Sequence, residues 1–290
     1  MTLRHLYVFI CVCDEGNMTG AAKKLYIAQP SVSQTIFELE KHYNVKLFER
    51  LGRKLFITLA GQKLLTYARH IVNLNKEVEE AMREVNNSGI LRIGASVTVG
   101  TYILPSMIGE FMRCNSAVKV VSSVNNTTVI EGMLLADQLD IGLVEGKIQS
   151  PGIIHMPFMD DELVLVSSYS HPFGRKGKIT IAELKHAGFI VREEGSGTRN
   201  LFESVMTDRG IDWNIVGVYN NAEAIKNAVS TGLGLSVISW MAVQKELERK
   251  ELAIIEIDGV SFKRQFSIIY HKNKYVSPIL DRFIQLVLPV

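Results

Sequence analysis

The chain has 290 residues, of which 47% are hydrophobic and 21% are charged. This composition excludes a largely disordered chain, and the length predicts two or three folded domains rather than one. The net charge of +2 indicates no particular partner. Residues 1–58, however, hold eight Lys and Arg against five Asp and Glu, which weakly favours contact of this segment with a polyanion.

The three cysteines are too few for a disulfide framework and are typical of a protein kept in a reducing compartment. Cys13 lies on the apolar face of the predicted first helix, which favours a buried thiol over a redox pair with Cys11. The N-terminal stretch has the pattern of neither a signal peptide nor a transit sequence, and no apolar run reaches the about 18 residues that span a bilayer. We therefore expect a cytoplasmic protein with no membrane partner.

The first 58 residues predict three short helices. Apolar residues at helical spacing from Leu3 to Cys13 predict the first, and Thr19 is expected to cap the second. A longer third helix is predicted from about Pro30 to Tyr43, because proline suits a first turn. Small polar side chains mark its outward face: Ser31, Ser33, Gln34 and Thr35.

Two basic stretches, 46–50 and 54–58, flank a glycine and predict a small hairpin, or wing. A helix that exposes Ser, Gln and Thr and is braced by a shorter helix suits the DNA major groove, where those side chains reach base edges. The same pattern also fits a plain three-helix module with a solvated polar face. The pattern alone leaves both interpretations open.

One long helix is predicted from about residue 58 to residue 86, with a single apolar stripe and no Gly or Pro after Gly61. A stripe of that length is hard to bury within one chain, so pairing with a second copy is expected. The run from Asn86 to Gly89 ends the helix and sets a domain boundary.

The remainder alternates strands with helices, which predicts a parallel sheet covered on both faces. The predicted strands are Leu91–Ile93, Val118–Val124, Ile141–Val144, Leu163–Ser167, Phe189–Val191, Leu235–Ile238 and Phe266–Tyr270. The predicted helices are Thr101–Met112, Val129–Leu135, Thr198–Arg209, Ala222–Thr231 and Ser277–Leu288. The chain is expected to cross between two lobes twice, near Asp161 and near Gln265.

Polar loops join a strand to a helix at three places in this region: Ser96-Val97-Thr98, Asn126-Thr127-Thr128 and Ser196-Gly197-Thr198. Hydroxyls and free backbone N–H groups at helix N-termini suit an anionic group, and open α/β sheets bind ligands at such strand ends. Ser, Thr and Asn are also the commonest helix caps, so ordinary capping is the alternative interpretation.

Catalytic patterns find little support. The seven histidines form no metal-binding spacing, no Cys/His cluster has zinc geometry, and no nucleophile elbow or Walker loop occurs. We expect no enzyme, no metal and no cofactor. A free-standing binding protein of the periplasmic type is a further alternative, against which the N-terminal helices argue.

The N-terminal region resembles the DNA-binding region of LysR-type transcriptional regulators, with unbroken spacing over about 65 residues. The stretches that carry the resemblance are Leu3-Arg4-His5-Leu6, Asn17-Met18-Thr19-Gly20-Ala21-Ala22, Ala28-Gln29-Pro30-Ser31-Val32-Ser33-Gln34, Leu39-Glu40, Leu47-Phe48-Glu49-Arg50 and Thr58-Leu59-Ala60-Gly61. Gln34 stands where many members carry Arg. The resemblance continues through the long helix and covers essentially the whole chain.

The resemblance implies an α+β chain of three parts. These are a winged helix-turn-helix (1–58), a linker and dimerisation helix (59–88), and a two-lobed α/β effector domain (89–290) of the type II periplasmic-binding-protein kind. One lobe would span about 90–161 and 267–290, and the other about 162–266. The implied partners are double-stranded DNA, a small effector, RNA polymerase and further copies of the chain, as a dimer or a dimer of dimers (a homotetramer).

The resemblance also assigns residues. DNA contacts are expected from Thr19, Gln29, Pro30, Ser31, Ser33, Gln34, Arg50, Arg53 and Lys54. Contacts with the effector are expected from Ser96, Thr98, Thr127, Glu145, Ser196, Gly197 and Thr198. The stretch around Gly197 resembles the branch that senses small anions of sulfur or carbon assimilation, which predicts an effector such as sulfite or a carboxylate.

Overall fold

A computed structural model describes residues 1–51, 54–83 and 89–288. The chain divides into two compact units. One comprises Met1–Gly89 together with Leu135–Asp137, and the other comprises Ile90–Leu134 together with Gln138–Val290.

The N-terminal unit is built from four helices and one antiparallel hairpin. Its elements are α1 (Leu3–Glu15), α2 (Met18–Leu25), α3 (Gln29–Tyr43), β1 (Phe48–Leu51), β2 (Lys54–Ile57) and α4 (Leu59–Arg83). Buried apolar side chains from all four helices form its core, including Phe9, Val12, Ile36, Leu39 and Ala68. The predicted helix-turn-helix followed by a wing is confirmed.

The predicted cap of the second helix is wrong. Asn17, in an extended conformation before Met18, caps α2 by accepting a hydrogen bond from the backbone N–H of Gly20 at 2.6 Å. Thr19 instead lies exposed in the first turn. Asn17 takes the capping role because its side chain stands three residues before an N–H that no helix carbonyl can reach.

A close backbone approach fixes the start of α4. The Thr58 hydroxyl accepts from the N–H of Gly61 at 3.0 Å and donates to the Lys46 carbonyl at 2.7 Å. A Cβ atom on Gly61 would lie 2.4 Å from the Leu47 carbonyl oxygen, so only glycine fits here. This contact holds the start of α4 against the base of the hairpin.

Helix α4 has two apolar faces rather than the single stripe predicted. Ala68 and Val72 are buried in the core of the N-terminal unit. A second set, spaced by four, three and four residues, is exposed: Tyr67, Ile71, Leu74 and Val78.

The C-terminal unit is a curled α/β structure. Its strands are β3 (Gly89–Ser96), β4 (Val118–Asn125), β5 (Ile141–Glu145), β6 (Ile153–Ser168), β7 (Lys178–Ile179), β8 (Gly188–Arg192), β9 (Asn214–Tyr219), β10 (Ser236–Ser239), β11 (Leu252–Ile257) and β12 (Phe262–His271). Its helices are α5 (Val97–Tyr102), α6 (Leu104–Cys114), α7 (Thr127–Leu135), α8 (Pro172–Lys176), α9 (Gly197–Asp208), α10 (Ala222–Ser230), α11 (Trp240–Glu248) and α12 (Pro278–Val287). A short 3-10 helix spans Ile181–Leu184.

The predicted all-parallel sheet is wrong in part. Strands β3 and β5 are parallel, as are β8 and β9, but the centre of the main sheet is the antiparallel pair β6 and β12. The main sheet runs in the order β4-β3-β5-β12-β6-β11-β7, and β10 also pairs with β6. The register between β6 and β12 shifts at Phe266/Ser267. These two long strands pass continuously through both positions where a lobe crossing is expected.

The predicted helix Thr101–Met112 is two helices. Helix α5 ends at Tyr102 and α6 begins at Leu104, with Pro105 in the first turn of α6. Proline has no N–H to donate to the carbonyl four residues earlier, so the first helix cannot continue through it. Ser96 therefore precedes a helix of only six residues.

The buried apolar residues of the C-terminal unit fall into separate clusters. One contains Leu91, Ile93, Phe158, Phe266 and Phe283, and two others draw only on positions between 163 and 262. The boundaries expected for the domains and lobes remain predictions. No helix among the described residues is long and apolar enough to cross a membrane.

Candidate functional site

The outward face of α3 carries most of the residues expected to contact DNA. Gln29, Pro30, Ser31 and Gln34 are exposed and Ser33 is half-buried, while the opposite face of α3 packs into the core. Gln29 Nε2 donates to Ser33 Oγ at 2.7 Å, and Gln34 Nε2 donates to Glu38 Oε1 at 2.9 Å. The helix thus presents a row of hydroxyl and amide groups of the kind that hydrogen-bonds to base edges in the major groove.

Glu40 braces the wing against α3. Its Oε1 atom accepts hydrogen bonds from the backbone N–H groups of Leu47 at 2.9 Å and Phe48 at 3.3 Å, and Oε2 accepts from Lys46 Nζ at 2.7 Å. These bonds fix the start of the hairpin relative to the helix. Glu40 belongs to the family motif, but nothing in the sequence indicates its contact with the wing.

Among the wing residues expected to contact DNA, one cation has a described side chain. Arg50 is exposed on β1 and pairs across the hairpin with Leu55. Arg53 lies outside the described residues, and of Lys54 only its place at the start of β2 is described. Thr19 is exposed on α2.

In the C-terminal unit, the ends of three elements meet at Glu145, the last residue of β5. The side chain of Glu145 is only 2% exposed. Its Oε2 atom accepts a hydrogen bond from Ser96 Oγ, and Oε1 accepts from Thr98 Oγ1 at 3.3 Å. Thr127 Oγ1 donates to the backbone carbonyl of Glu145 at 2.8 Å. Four residues that the sequence predicted to bind the effector therefore lie together.

The start of α9 approaches this group closely. A Cβ atom on Gly197 would lie 2.4 Å from the Glu145 carbonyl oxygen, so glycine is required at this contact. Ser196 is 1% exposed, and its hydroxyl has no hydrogen-bond partner among the described residues. The structure thus brings the start of α9, with Ser196, Gly197 and Thr198, to the group formed by Glu145, Ser96, Thr98 and Thr127.

Arg264, on β12, is the part of this site that sequence analysis missed. Its Nε atom donates to Asp161 Oδ2 at 2.7 Å and its Nη1 atom donates to Thr198 Oγ1 at 2.9 Å. Nη1 also lies 3.7 Å from Glu145 Oε1, and the guanidinium stacks over the Phe266 ring at 5.4 Å from its centroid. The Nη2 atom is buried and has no partner within the part of the chain that the structure describes.

Carboxylates outnumber guanidinium groups here. Arg192 is buried and makes a two-pronged ion pair with Glu193, at 2.8 and 2.9 Å. Burial raises the pKa of Glu145 above its usual value, and the guanidinium groups of Arg264 and Arg192 offset this only in part. Asp161 also accepts from Ser239 Oγ at 2.8 Å.

Ordinary capping explains one of the three polar loops. Asn126 Oδ1 accepts from the Val129 N–H at 3.0 Å and so caps α7. Neither Ser96 nor Ser196 makes a side-chain cap bond, although each occupies a cap position. The Ser96 hydroxyl instead donates to the Glu145 carboxylate, and the Ser196 hydroxyl has no partner among the described residues.

Two protein families match the chain. A LysR substrate-binding domain matches residues 85–290, and a bacterial regulatory helix-turn-helix protein of the lysR family matches residues 3–62. The chain belongs to the LysR family. It is a LysR-type DNA-binding transcriptional regulator with an effector-binding domain.

Relatives in this family cover nearly the whole chain. It is 36% identical to a probable RuBisCO transcriptional regulator of Cyanidioschyzon merolae, over 100% of this chain and 98% of that protein. It is 33% identical to a RuBisCO operon transcriptional regulator of Allochromatium vinosum, over 99% of this chain and 96% of that protein.

Solved structures share the fold. Full-length OxyR of Pseudomonas aeruginosa matches with a TM-score of 0.71 at 21% identity, over 99% of this chain and 93% of that one. The CcmR regulatory domain of Synechocystis in complex with 2-PG matches with a TM-score of 0.65 at 29% identity, over 69% of this chain and 96% of that one. Full-length CbnR with its target DNA matches with a TM-score of 0.56 at 25% identity, over 99% of this chain and 98% of that one.

Proposed function

We propose that this regulator binds DNA sequence-specifically and that a small anion, held around Glu145 and Arg264 in the C-terminal unit, controls its activity. The observation that carries the second part is a pair of buried hydrogen-bond donors, Ser196 Oγ and Arg264 Nη2, that have no partner among the described residues. Leaving such donors unpaired costs about 1–3 kcal/mol each, which a bound anion would recover.

The surroundings of these donors support an anion. The Nη2 atom of Arg264 still has its N–H groups unpaired, and guanidinium donors are well suited to the oxygens of a carboxylate or phosphate. Helix α9, of 12 residues, begins directly after Ser196 and adds its positive dipole end and free N–H groups. The related CcmR regulatory domain was solved with 2-PG, which carries a phosphate and a carboxylate. Sulfite and simple carboxylates, which the sequence favours, share this chemistry.

The DNA-binding part is supported by α3 and the wing. We assign base contacts in the major groove to Gln29, Pro30, Ser31, Ser33 and Gln34, and phosphate contacts to Arg50, Arg53, Lys54 and Thr19. The CbnR structure, 25% identical to this chain, contains its target DNA. Glu40 would hold the wing at a fixed distance from α3, so that both elements reach the same stretch of duplex.

Self-association is supported by the exposed face of α4. The four side chains Tyr67, Ile71, Leu74 and Val78 repeat at the spacing of a coiled-coil seam. A second copy of the same helix offers a matching seam, and pairing would remove these side chains from water. We therefore propose at least a dimer, as the family resemblance implies.

A thermal-shift screen of the full-length protein tests the anion site. The panel contains sulfate, sulfite, phosphate, 2-PG and shikimate, each titrated to saturation. We expect at least one anion to raise the melting temperature saturably, and Ser196→Ala to weaken that response at least tenfold. Thr207→Ala, which alters an exposed hydroxyl on α9, serves as the matched control. No shift with any anion, or equal shifts in all three proteins, would overturn the assignment.

A further inference from the structure

The proposed anion site already contains an anion of its own. Both oxygens of the Glu145 carboxylate are engaged, one by Ser96 and the other by Thr98. These are two of the hydroxyl donors that sequence analysis assigned to the effector. Glu145 therefore holds donors that an incoming anion would need.

The arginines near Glu145 leave no positive charge to compensate a second anion. On β12, Arg264 forms an ion pair with Asp161 of β6, with 2.7 Å between Nε and Oδ2. It lies farther from Glu145, with 3.7 Å between Nη1 and Oε1. On β8, Arg192 is already engaged by Glu193. The two arginines thus face three carboxylates, a net formal charge of −1 before any ligand arrives.

Helix α9 packs against β5 but adds no spare cation to this count. Arg199 of α9 pairs with Glu203 at 2.7 Å and approaches Glu194 at 3.9 Å. A small anion bound at Ser196 and Arg264 would therefore bring this group, in which Glu193 alone is partly exposed, to at least −2. Burying an uncompensated charge costs several kcal/mol, so in proteins the group more often takes up a proton instead.

We propose that Glu145 is a proton-linked gate of the effector site: the anion binds together with one proton, which neutralises the Glu145 carboxylate and frees the hydroxyls of Ser96 and Thr98. This inference rests on the proposed anion site. A neutral Glu145 would itself be a donor, because a protonated carboxyl offers one O–H to the anion. Burial has already raised the pKa of Glu145, which makes this proton easier to add. The effector response of this regulator therefore depends on pH.

Isothermal titration of the full-length protein with sulfate tests the coupling, because sulfate does not itself titrate between pH 6 and 8. Titrations at each pH are run in two buffers of different ionisation enthalpy, so that the difference in heat counts the protons taken up. In the wild-type protein we expect uptake that approaches one proton per sulfate at pH 8. The Kd should rise about tenfold per pH unit above the pKa of Glu145, which is the slope for one linked proton.

Two variants separate the gate from the site. Glu145→Gln carries no charge and should bind sulfate more tightly than wild type at pH 8, with no proton uptake and a nearly flat pH profile. Glu194→Gln alters a carboxylate that is 91% exposed beside the same loop, and it should leave the proton count unchanged.

The outcomes distinguish this inference from the proposed function. Sulfate binding with no proton uptake in wild type would overturn the gate and leave the anion site standing. Proton uptake that persists in Glu145→Gln would also overturn the gate. If neither sulfate nor 2-PG bound the wild-type protein or Glu145→Gln between pH 6 and 8, the anion site and the gate would both fail. The wild-type measurement needs no variant, so it is decisive even if Glu145→Gln folds poorly.

Discussion

Replacing Arg264 by Met should strongly destabilise the C-terminal unit. The guanidinium is 4% exposed and is the cation closest to two buried carboxylates, bonding Asp161 at 2.7 Å and lying 3.7 Å from Glu145. Methionine fills much of the same space but leaves both carboxylates without this partner. Breaking a buried ion pair from one side costs about 3–5 kcal/mol, so we expect a loss of that size in the free energy of unfolding at pH 7.

Urea unfolding followed by tryptophan fluorescence measures this loss. The chain has two tryptophans, Trp213 and Trp240, and both lie in the C-terminal unit, so the signal reports on that unit alone. Lys263→Met is the matched control, because Lys263 is the preceding residue of β12 and is exposed on the opposite face. It should change the free energy of unfolding by no more than about 0.5 kcal/mol.

A double variant tests the cause of the loss. Asp161→Asn removes one of the stranded charges while the Ser239 hydroxyl can still donate to the remaining oxygen. We expect the double variant to be more stable than Arg264→Met alone, because the two residues interact directly and their effects cannot add. A value for Arg264→Met within about 0.5 kcal/mol of wild type would show that the Arg264 ion pairs do not stabilise the C-terminal unit.

Three further predictions concern the wing and two other residues of the candidate site. Arg53→Ala should weaken binding to all DNA sequences and reduce the slope of log K against log salt by about 1; an unchanged slope in anisotropy titrations would remove Arg53 from the phosphate contacts. Gly197→Ala should lower the free energy of unfolding by about 1–3 kcal/mol, because its Cβ would lie 2.4 Å from a backbone carbonyl oxygen. Gly109→Ala, with open space around it in α6, should be neutral or stabilising. Equal melting temperatures for the two variants would contradict this. Burial raises the pKa of Glu145 from 4.5, so the stabilisation from its neutral form is complete below about pH 4.5 and is lost as the pH rises through the folded-state pKa. The melting temperature of Glu145→Gln relative to wild type should therefore increase from pH 4.5 to pH 8. Calorimetry that shows the opposite trend would count against a raised pKa.

Local patterns predicted the N-terminal unit well. Apolar residues at helical spacing, a proline in a first turn and a glycine between basic stretches are all signals that act over a few residues. The cap of α2 was misplaced by two residues because Asn17 and Thr19 are both good caps, and sequence alone does not say which one is extended. The second apolar face of α4 escaped notice because a stripe counted along one helix does not reveal which residues a neighbouring helix covers.

The centre of the C-terminal sheet could not be predicted in the same way. Strand β6 is 16 residues long, but Pro157 and the acidic run 160–162 interrupt its apolar pattern, and only its second half was recognised. Its partner β12 lies about a hundred positions away along the chain, since the bond from Arg264 to Asp161 spans 103 residues. Pairing over such a distance leaves no local signal.

The candidate site shows the same division. Ser96, Thr98, Thr127 and Ser196 drew attention because each follows a predicted strand, and the family resemblance then assigned them to the effector. Arg264 was not, because next to Lys263 it looks like part of an exposed basic pair. One signal was present: Arg264 falls midway between Phe262 and Phe266, which are both buried, and side chains two apart on a strand share a face.

Control of DNA binding by an anion can be measured by comparing how the full-length protein binds DNA with and without that anion. Fragments of the genome that encodes it are selected by the purified protein and sequenced. The most enriched fragment is then titrated by fluorescence anisotropy and footprinted, with and without a saturating anion. We predict binding at least about a thousandfold tighter than to unrelated DNA, and a shift in affinity or footprint when the anion is added that Ser196→Ala suppresses. Equal binding to all fragments would rule out sequence-specific DNA binding. An anion that binds without altering affinity or footprint would rule out control of DNA binding by the proposed site.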